Sequence, residues 1–225
     1  MTREVLSRAD YFARWSDLHG GFDPRGSRFV GPWLSFIHAL AVPFARVGVA
    51  PDVVTLLGGA VAGSVIWLCA LGGHIVIVAA VVVGLSGVLD SLDGAVAVIS
   101  NRATAWGSVL DSVVDRLSDG FYLIALWVVG APAWVCVAAG GLVLLQEYTR
   151  ARGAVAGASE IGVVTVGERP TRVIVIAMFL LGAGIYVESA VQWVTVAAYL
   201  SLGLAVVSVL QLLVTLRGRL SVDGE

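Results

Sequence analysis

Residues 90–115 read DSLDGAVAVISNRATAWGSVLDSVVD. Four carboxylates, Asp90, Asp93, Asp111 and Asp115, stand in segments otherwise apolar enough to cross a bilayer. A charged side chain in hydrocarbon costs at least ~2.5–3.5 kcal/mol on insertion scales, so four together need a compensating partner. Asp90 and Asp93 are three residues apart and Asp111 and Asp115 four apart, so each pair shares one face of a helix. A short turn at 100–104 makes the two segments antiparallel neighbours, which lets the two faces converge. Four carboxylates do not all ionise side by side unaided. A hard divalent cation resolves the repulsion, and Mg2+ or Mn2+ suits carboxylates together with phosphate. The cluster contains no His or Cys, which argues against zinc. Two metal ions a few ångström apart would clamp the attacking and leaving oxygens of a phosphoryl displacement. Gly94 and Gly107 leave room for backbone to approach a ligand. Intramembrane acids also form ion or proton paths, so a cation transporter is the rival reading from another class.

The remainder of the chain fits a scaffold for this cluster. It has 225 residues, 58% hydrophobic and 13% charged, with a mean hydropathy of +0.92; soluble domains run about 45–50% apolar and about 25% charged. This is the composition of an all-α integral membrane protein. A net charge of −2 gives no case for a nucleic-acid partner. All 14 basic residues are arginine. Cys69 and Cys136 lie in different apolar runs and read as small packing residues.

Six spanning segments, each near the ~20 residues a bilayer needs, are expected at 53–72, 75–99, 105–130, 133–156, 171–187 and 191–216. Gly72-Gly73, Asn101, Pro132, Gly153 to Gly157 and Pro170 mark the joints. Ahead of them, residues 1–28 are polar, with Arg3, Glu4 and His19 among them. Residues 29–46 are apolar but carry Pro32, His38 and Pro43. Ala39-Leu40-Ala41 resembles a signal-peptide cleavage site, yet the leading region is too long and too acidic for one. An amphipathic helix lying at the interface, anchored by Trp33 and Phe36, fits better. Every loop arginine falls on one side: the leading region, the 100–104 turn, the 150–172 loop and the Arg217/Arg219 tail. That side should be cytoplasmic, with both termini and the four aspartates there. The domain organisation expected is a cytoplasmic or interfacial segment 1–50, a six-helix domain 51–217 and a tail 218–225. His38 and His74 are expected to be solvated, Asp119 to pair with Arg116, and Glu147 to hydrogen-bond a basic neighbour.

The two aspartate pairs carry a resemblance. Asp90-Ser-Leu-Asp93-Gly94-Ala-Val-Ala97, followed by Gly107-Ser-Val-Leu-Asp111-Ser-Val-Val-Asp115, resembles the DxxDGxxA…GxxxDxxxD signature of the CDP-alcohol phosphatidyltransferase family. Pro51-Asp52-Val53-Val54-Thr55 is similar to the family's PDxxT element, and the six-span pattern matches. The resemblance implies Mg2+-dependent transfer of a phosphatidyl group from a CDP-alcohol, with CDP-diacylglycerol the expected donor, to a second alcohol, releasing CMP. It implies that Asp90, Asp93, Asp111 and Asp115 bind two Mg2+ ions, with Mn2+ also possible. Asp115 would in addition deprotonate the acceptor hydroxyl. The family's nucleotide contacts map onto Asp52, Val53, Val54, Thr55, Gly94 and Thr104. One position departs: the family signature continues Ala-Arg, where this chain has Ala97-Val98, and Arg102 is the candidate to supply the missing charge. The stretch Glu147-Tyr-Thr-Arg150-Ala-Arg152, with Glu168-Arg169-Pro-Thr-Arg172, resembles the acceptor element of bacterial phosphatidylinositol phosphate synthases. There the implied ligands of the acceptor phosphate are Arg150, Arg152 and Arg169, because guanidinium forks suit phosphate. Positive-inside charge explains any single one of them equally well. Inositol phosphate is the leading acceptor and glycerol phosphate the next. A homodimer in the cell membrane with a cytoplasmic active site is implied. A membrane prenyltransferase is the competing enzyme, although its larger span count and Asn-Asp-rich motif are not met.

Overall fold

The structure, a computed structural model, describes residues 5–18, 20–158 and 164–222. Arg3, Glu4 and His19 of the polar leading region and the last three residues of the tail lie outside the described residues. All regular structure described is helical. A short α1 (Arg8–Leu18) and a 3₁₀ turn (Pro24–Gly26) precede α2 (Val30–Val47). Then come α3 (Pro51–Leu71), α4 (Ile75–Ile99), α5 (Ala105–Val129), α6 (Ala133–Val155), α7 (Arg169–Ile185), a second 3₁₀ turn (Val187–Ser189) and α8 (Ala190–Val222). Among the described residues, four helices are long and apolar enough to cross a membrane: Val30–Val47, Pro51–Leu71, Ile75–Ile99 and the run Val187–Ser221. By length and composition alone α2, expected at the interface, is also long enough to cross. It runs through Pro43 without breaking, buries Leu34, Ile37, Ala41 and Ala45, and leaves Trp33 and Phe36 exposed.

The chain forms two compact units, residues 1–60 with 85–115, and residues 61–84 with 116–225. In the first, Tyr11 and Phe12 of α1, Leu34 and Ile37 of α2, and Leu92, Val96 and Ile99 of α4 close a core. Burial pushes the Tyr11 hydroxyl up to about 12. Helical geometry then dictates where the aspartates go. Leu92, Ala95, Val96 and Ile99 lie on one side of α4, so at 100° per residue Asp90, Asp93, Gly94 and Ala97 share the opposite side. The helix α2 stops at Gly48, whose φ of +86° suits a residue without Cβ and whose N–H, with that of Val49, caps the carbonyls of Phe44 and Ala45. Asn101, at φ +52°, ends α4 in the same way, with Arg102 N–H bonded to Ala97 O at 2.8 Å. The Leu6 N–H donates to Ile99 O at 3.2 Å.

In the second unit α6 and α7 pack on α8, around small and β-branched residues including Ala79, Ala139, Ala197 and Val65. Such residues let helices approach closely where lipid removes the hydrophobic drive between them. At Gly184 a Cβ would meet Ile77 N at 2.5 Å, so α7 and α4 touch there through backbone. Cys69 and Cys136 are buried thiols, as packing residues should be. Of the two histidines expected in solvent, His74 is exposed and His38 half-buried, and both also tie backbone. His38 lies 3.2 Å from Leu6 O through Nε2, and His74 lies 2.8 Å from Gly184 O through Nδ1. His74, just ahead of α4, keeps one edge in water and spends the other on the Gly184 carbonyl in the last turn of α7.

Candidate active site

Three of the four aspartates converge. Asp90 on α4 and Asp111 and Asp115 on α5, all half-buried, each offer a carboxylate oxygen, and these lie within 4.8 Å of one another. The fourth, Asp93, is 5% exposed. Its Oδ1 accepts the Gly94 N–H at 2.5 Å, and the Thr55 hydroxyl lies beside the carboxylate. Its Oδ2 is buried and makes no well-formed hydrogen bond among the described residues. A buried carboxylate oxygen left in that state is costly. An all-oxygen anionic donor set next to it is what a hard divalent cation requires, so the residues present fit a metal of that class.

The other elements expected around the donor assemble in the same unit. Thr104 caps α5, its hydroxyl accepting the Gly107 N–H at 2.9 Å. A Cβ on Gly107 would stand 3.2 Å from that hydroxyl and 3.5 Å from an Asp52 oxygen, so Asp52, Thr104 and the first turn of α5 form one group. A Cβ on Gly94 would meet nothing within 4 Å, so the aspartate face of α4 borders open space there. Thr55 is buried and donates to Pro51 O at 3.2 Å. Val54 belongs to the core, whereas Val53 is exposed. Val98, which stands where the resembled signature has arginine, packs against the core of this unit. Arg102 is exposed, and its Nη1 reaches Gly48 O at 3.3 Å and Val49 O at 3.5 Å, the carbonyls at the end of α2.

The second unit holds the arginines. Arg150 lies on Glu168 as a fork, Nη2 to Oε1 at 2.7 Å and Nη1 to Oε2 at 3.4 Å. Glu147 takes Arg116 at 2.8 Å and stands 3.6 Å from Arg150, which meets the expectation of a basic neighbour. Asp119 pairs with Arg116 at 3.6 Å, as expected, and more closely with Arg172 at 2.9 Å. The reason is burial: Arg172 and Asp119 are 8% and 6% exposed, and a guanidinium inside a helical bundle needs a counter-charge more than a half-buried one does. Arg172 also donates to Gly167 O. Arg152 is exposed and Arg169 half-buried at the start of α7. Glu168, Asp119 and Arg172 were not singled out as a network, because partners 18 and 53 residues apart leave no mark on local periodicity. The one available signal was charge inside apolar runs.

Comparison with known proteins gives the family. The family model for CDP-alcohol phosphatidyltransferase matches residues 48–209. The chain is 31% identical over 175 residues to a phosphatidylinositol phosphate synthase of Corynebacterium glutamicum, covering 72% of this chain and 77% of that protein. It is 27% identical over 155 residues to an archaetidylinositol phosphate synthase of Pyrococcus horikoshii, covering 67% and 81%. Among solved structures, the phosphatidylinositol phosphate synthase of Mycobacterium tuberculosis with CDP-DAG bound superposes with a TM-score of 0.66 at 28% identity, over 81% of this chain and 94% of that one. The same enzyme in complex with manganese and citrate gives a TM-score of 0.66 at 27% identity, over 80% and 88%.

Proposed function

Because the chain belongs to the CDP-alcohol phosphatidyltransferase family, we propose that it transfers a phosphatidyl group from CDP-diacylglycerol to inositol phosphate, releasing CMP. Membership in that family selects a transferase over the cation-transporter and prenyltransferase readings. What carries the reading is the convergence of the Asp90, Asp111 and Asp115 carboxylates within 4.8 Å of one another, with the buried carboxylate of Asp93 close enough to Asp111 to feel its charge. Asp90, Asp93, Asp111 and Asp115 would hold two Mg2+ ions, which neutralise the carboxylates and the charge on the phosphoryl oxygens. Asp115 takes the proton of the acceptor hydroxyl as its oxygen attacks the phosphorus bearing the lipid alcohol, and the bond from that phosphorus to CMP breaks. Asp52 to Thr55, Gly94 and Thr104 border the CDP moiety. Arg102 supplies the positive charge that Val98 does not. Arg150, Arg152 and Arg169 bind the acceptor phosphate. Positioning and electrostatics are most of phosphoryl-transfer catalysis, so these roles suffice without a covalent intermediate.

In the membrane, α3 to α8 are taken as six spans with α2 at the interface, as one domain over 51–217 between a leading segment and a short tail. The arginine bias supports a cytoplasmic active site in the cell membrane, and the family resemblance implies a homodimer as the functional form. The test is CMP release by purified protein from CDP-diacylglycerol, with and without Mg2+ or Mn2+, against a panel of acceptors. Release with inositol phosphate that stops on chelation is expected. Release with glycerol phosphate alone would move the acceptor, and none with any alcohol would refute the assignment.

A further inference from the structure

The turn that leads into α7 is built with unusual completeness. The Thr165 N–H and hydroxyl both donate to Glu168 Oε1 at 2.8 Å, and that hydroxyl accepts from the buried Gln146 Nε2 at 3.0 Å. The Val166 N–H donates to Gln211 Oε1 at 3.0 Å and the Gly167 N–H to Ser208 Oγ at 2.9 Å. The Gly167 carbonyl takes Arg172. A Cβ on Gly167 would overlap Ser208 Oγ and crowd Leu204 O, so the turn is seated directly on α8. Every N–H from 165 to 167 is thus spoken for by a side chain, which is far more than an exposed connection needs.

The consequence falls on Arg150. Glu168 is fixed by its own turn before any cation reaches it, and Arg150, a third exposed and rich in rotamers, lies across that fixed carboxylate. Fixing a flexible guanidinium in advance removes part of the ordering entropy that anion binding would otherwise face. We propose that Glu168 is a positioning residue for the acceptor, acting through Arg150: the bonded 165–168 turn holds the guanidinium in place for an incoming phosphate. This rests on Arg150 being an acceptor ligand.

The experiment is steady-state CMP release by the full chain, varying acceptor and donor in turn, for wild type, E168A, E168Q, R150A and R150A/E168A. E168A should raise the KM for inositol phosphate about tenfold, the scale of one charge-assisted hydrogen bond, with the donor KM within about twofold. In the R150A background E168A should add almost nothing, because Glu168 has nothing left to orient. A merely structural role would lower kcat and shift both KM values whether or not Arg150 were present. E168Q, which keeps an oxygen for Thr165, carries the same cycle if E168A does not fold. An equal acceptor effect in both backgrounds overturns the proposal. So does a fall in acceptor KM, the mark of a carboxylate competing with phosphate. If R150A itself leaves the acceptor KM unchanged, the acceptor-site reading fails. If R150A raises it while E168A and E168Q are silent, only the positioning role fails.

Discussion

Asp111→Asn separates what the aspartate cluster does for chemistry from what it does to the fold. The oxygens of Asp90, Asp111 and Asp115 lie within 4.8 Å of one another. Two unit charges at such a separation repel by about 3.5 kcal/mol at an effective dielectric near 20, and Asp111 faces two of them. Solvent screening and side-chain relaxation relieve most of that in metal-free protein. A residue of about 1.5 kcal/mol is a fair scale for what is left, and an amide of the same shape removes it. In chelator the variant should therefore melt about 3–6 °C above wild type, given about 2–4 °C per kcal/mol for a chain of this size. With Mn2+ or Mg2+ the order should invert. Wild type would gain about 2.7 kcal/mol at a hundred times Kd, while the variant would lose most of that gain together with its CMP release. Tryptophan fluorescence during heating in detergent, with chelator and then metal, reads both terms on one preparation. A variant that melts below wild type in chelator refutes the reasoning, as does a wild type whose melting ignores metal.

Other outcomes follow from the two units. Asp119→Ala strands a guanidinium that is 8% exposed, which costs about 3–5 kcal/mol and should lower melting by about 10 °C; Asp119→Leu with Arg172→Met should recover most of it, and a drop under about 2 °C would make the pair dispensable. Arg102→Ala should raise the donor KM about fivefold, the scale of an exposed charge-assisted contact, and leave the acceptor KM alone. An unchanged donor KM would mean that Arg102 serves only to tie the end of α2. Burial alone would raise the Glu168 carboxyl, but hydrogen bonds from Arg150 and Thr165 bring it below its ordinary value of 4.5. Stability held by such a depressed group is complete above the ordinary value and fades as pH falls through the lowered one. The stability gap between wild type and E168Q should thus be flat from about pH 5 to 8 and narrow below about 4, and a gap that changes near pH 6.5 would contradict this.

The helices were legible in the sequence because apolar length is what a bilayer selects. Segments expected at 75–99, 105–130 and 133–156 are Ile75–Ile99, Ala105–Val129 and Ala133–Val155. The last helix runs on to Val222, past Arg217 and Arg219, because charge ends a hydropathic run without ending a helix. The short α1 was hidden in a polar segment, and only tertiary burial of Tyr11 and Phe12 explains it. The shared helix faces of the aspartates were legible through spacing, since positions three and four apart share a face whatever surrounds them, whereas their expected roles came from the family resemblance. The Glu168–Arg150 and Asp119–Arg172 pairs were not, since each joins different helices and turns and neither shows in a local pattern.

Gly94 offers a measure of a different kind. It sits inside α4, where alanine would favour the helix by about 0.8–1 kcal/mol, and a methyl there would touch no atom of the protein. The chain thus carries its least helix-favouring ordinary residue at a point where its own packing makes no demand for it. Gly94→Ala, Gly94→Ser and Gly94→Val form a graded ruler: the fold should tolerate each addition, so the step at which turnover fails gauges how closely the substrate approaches that turn of helix.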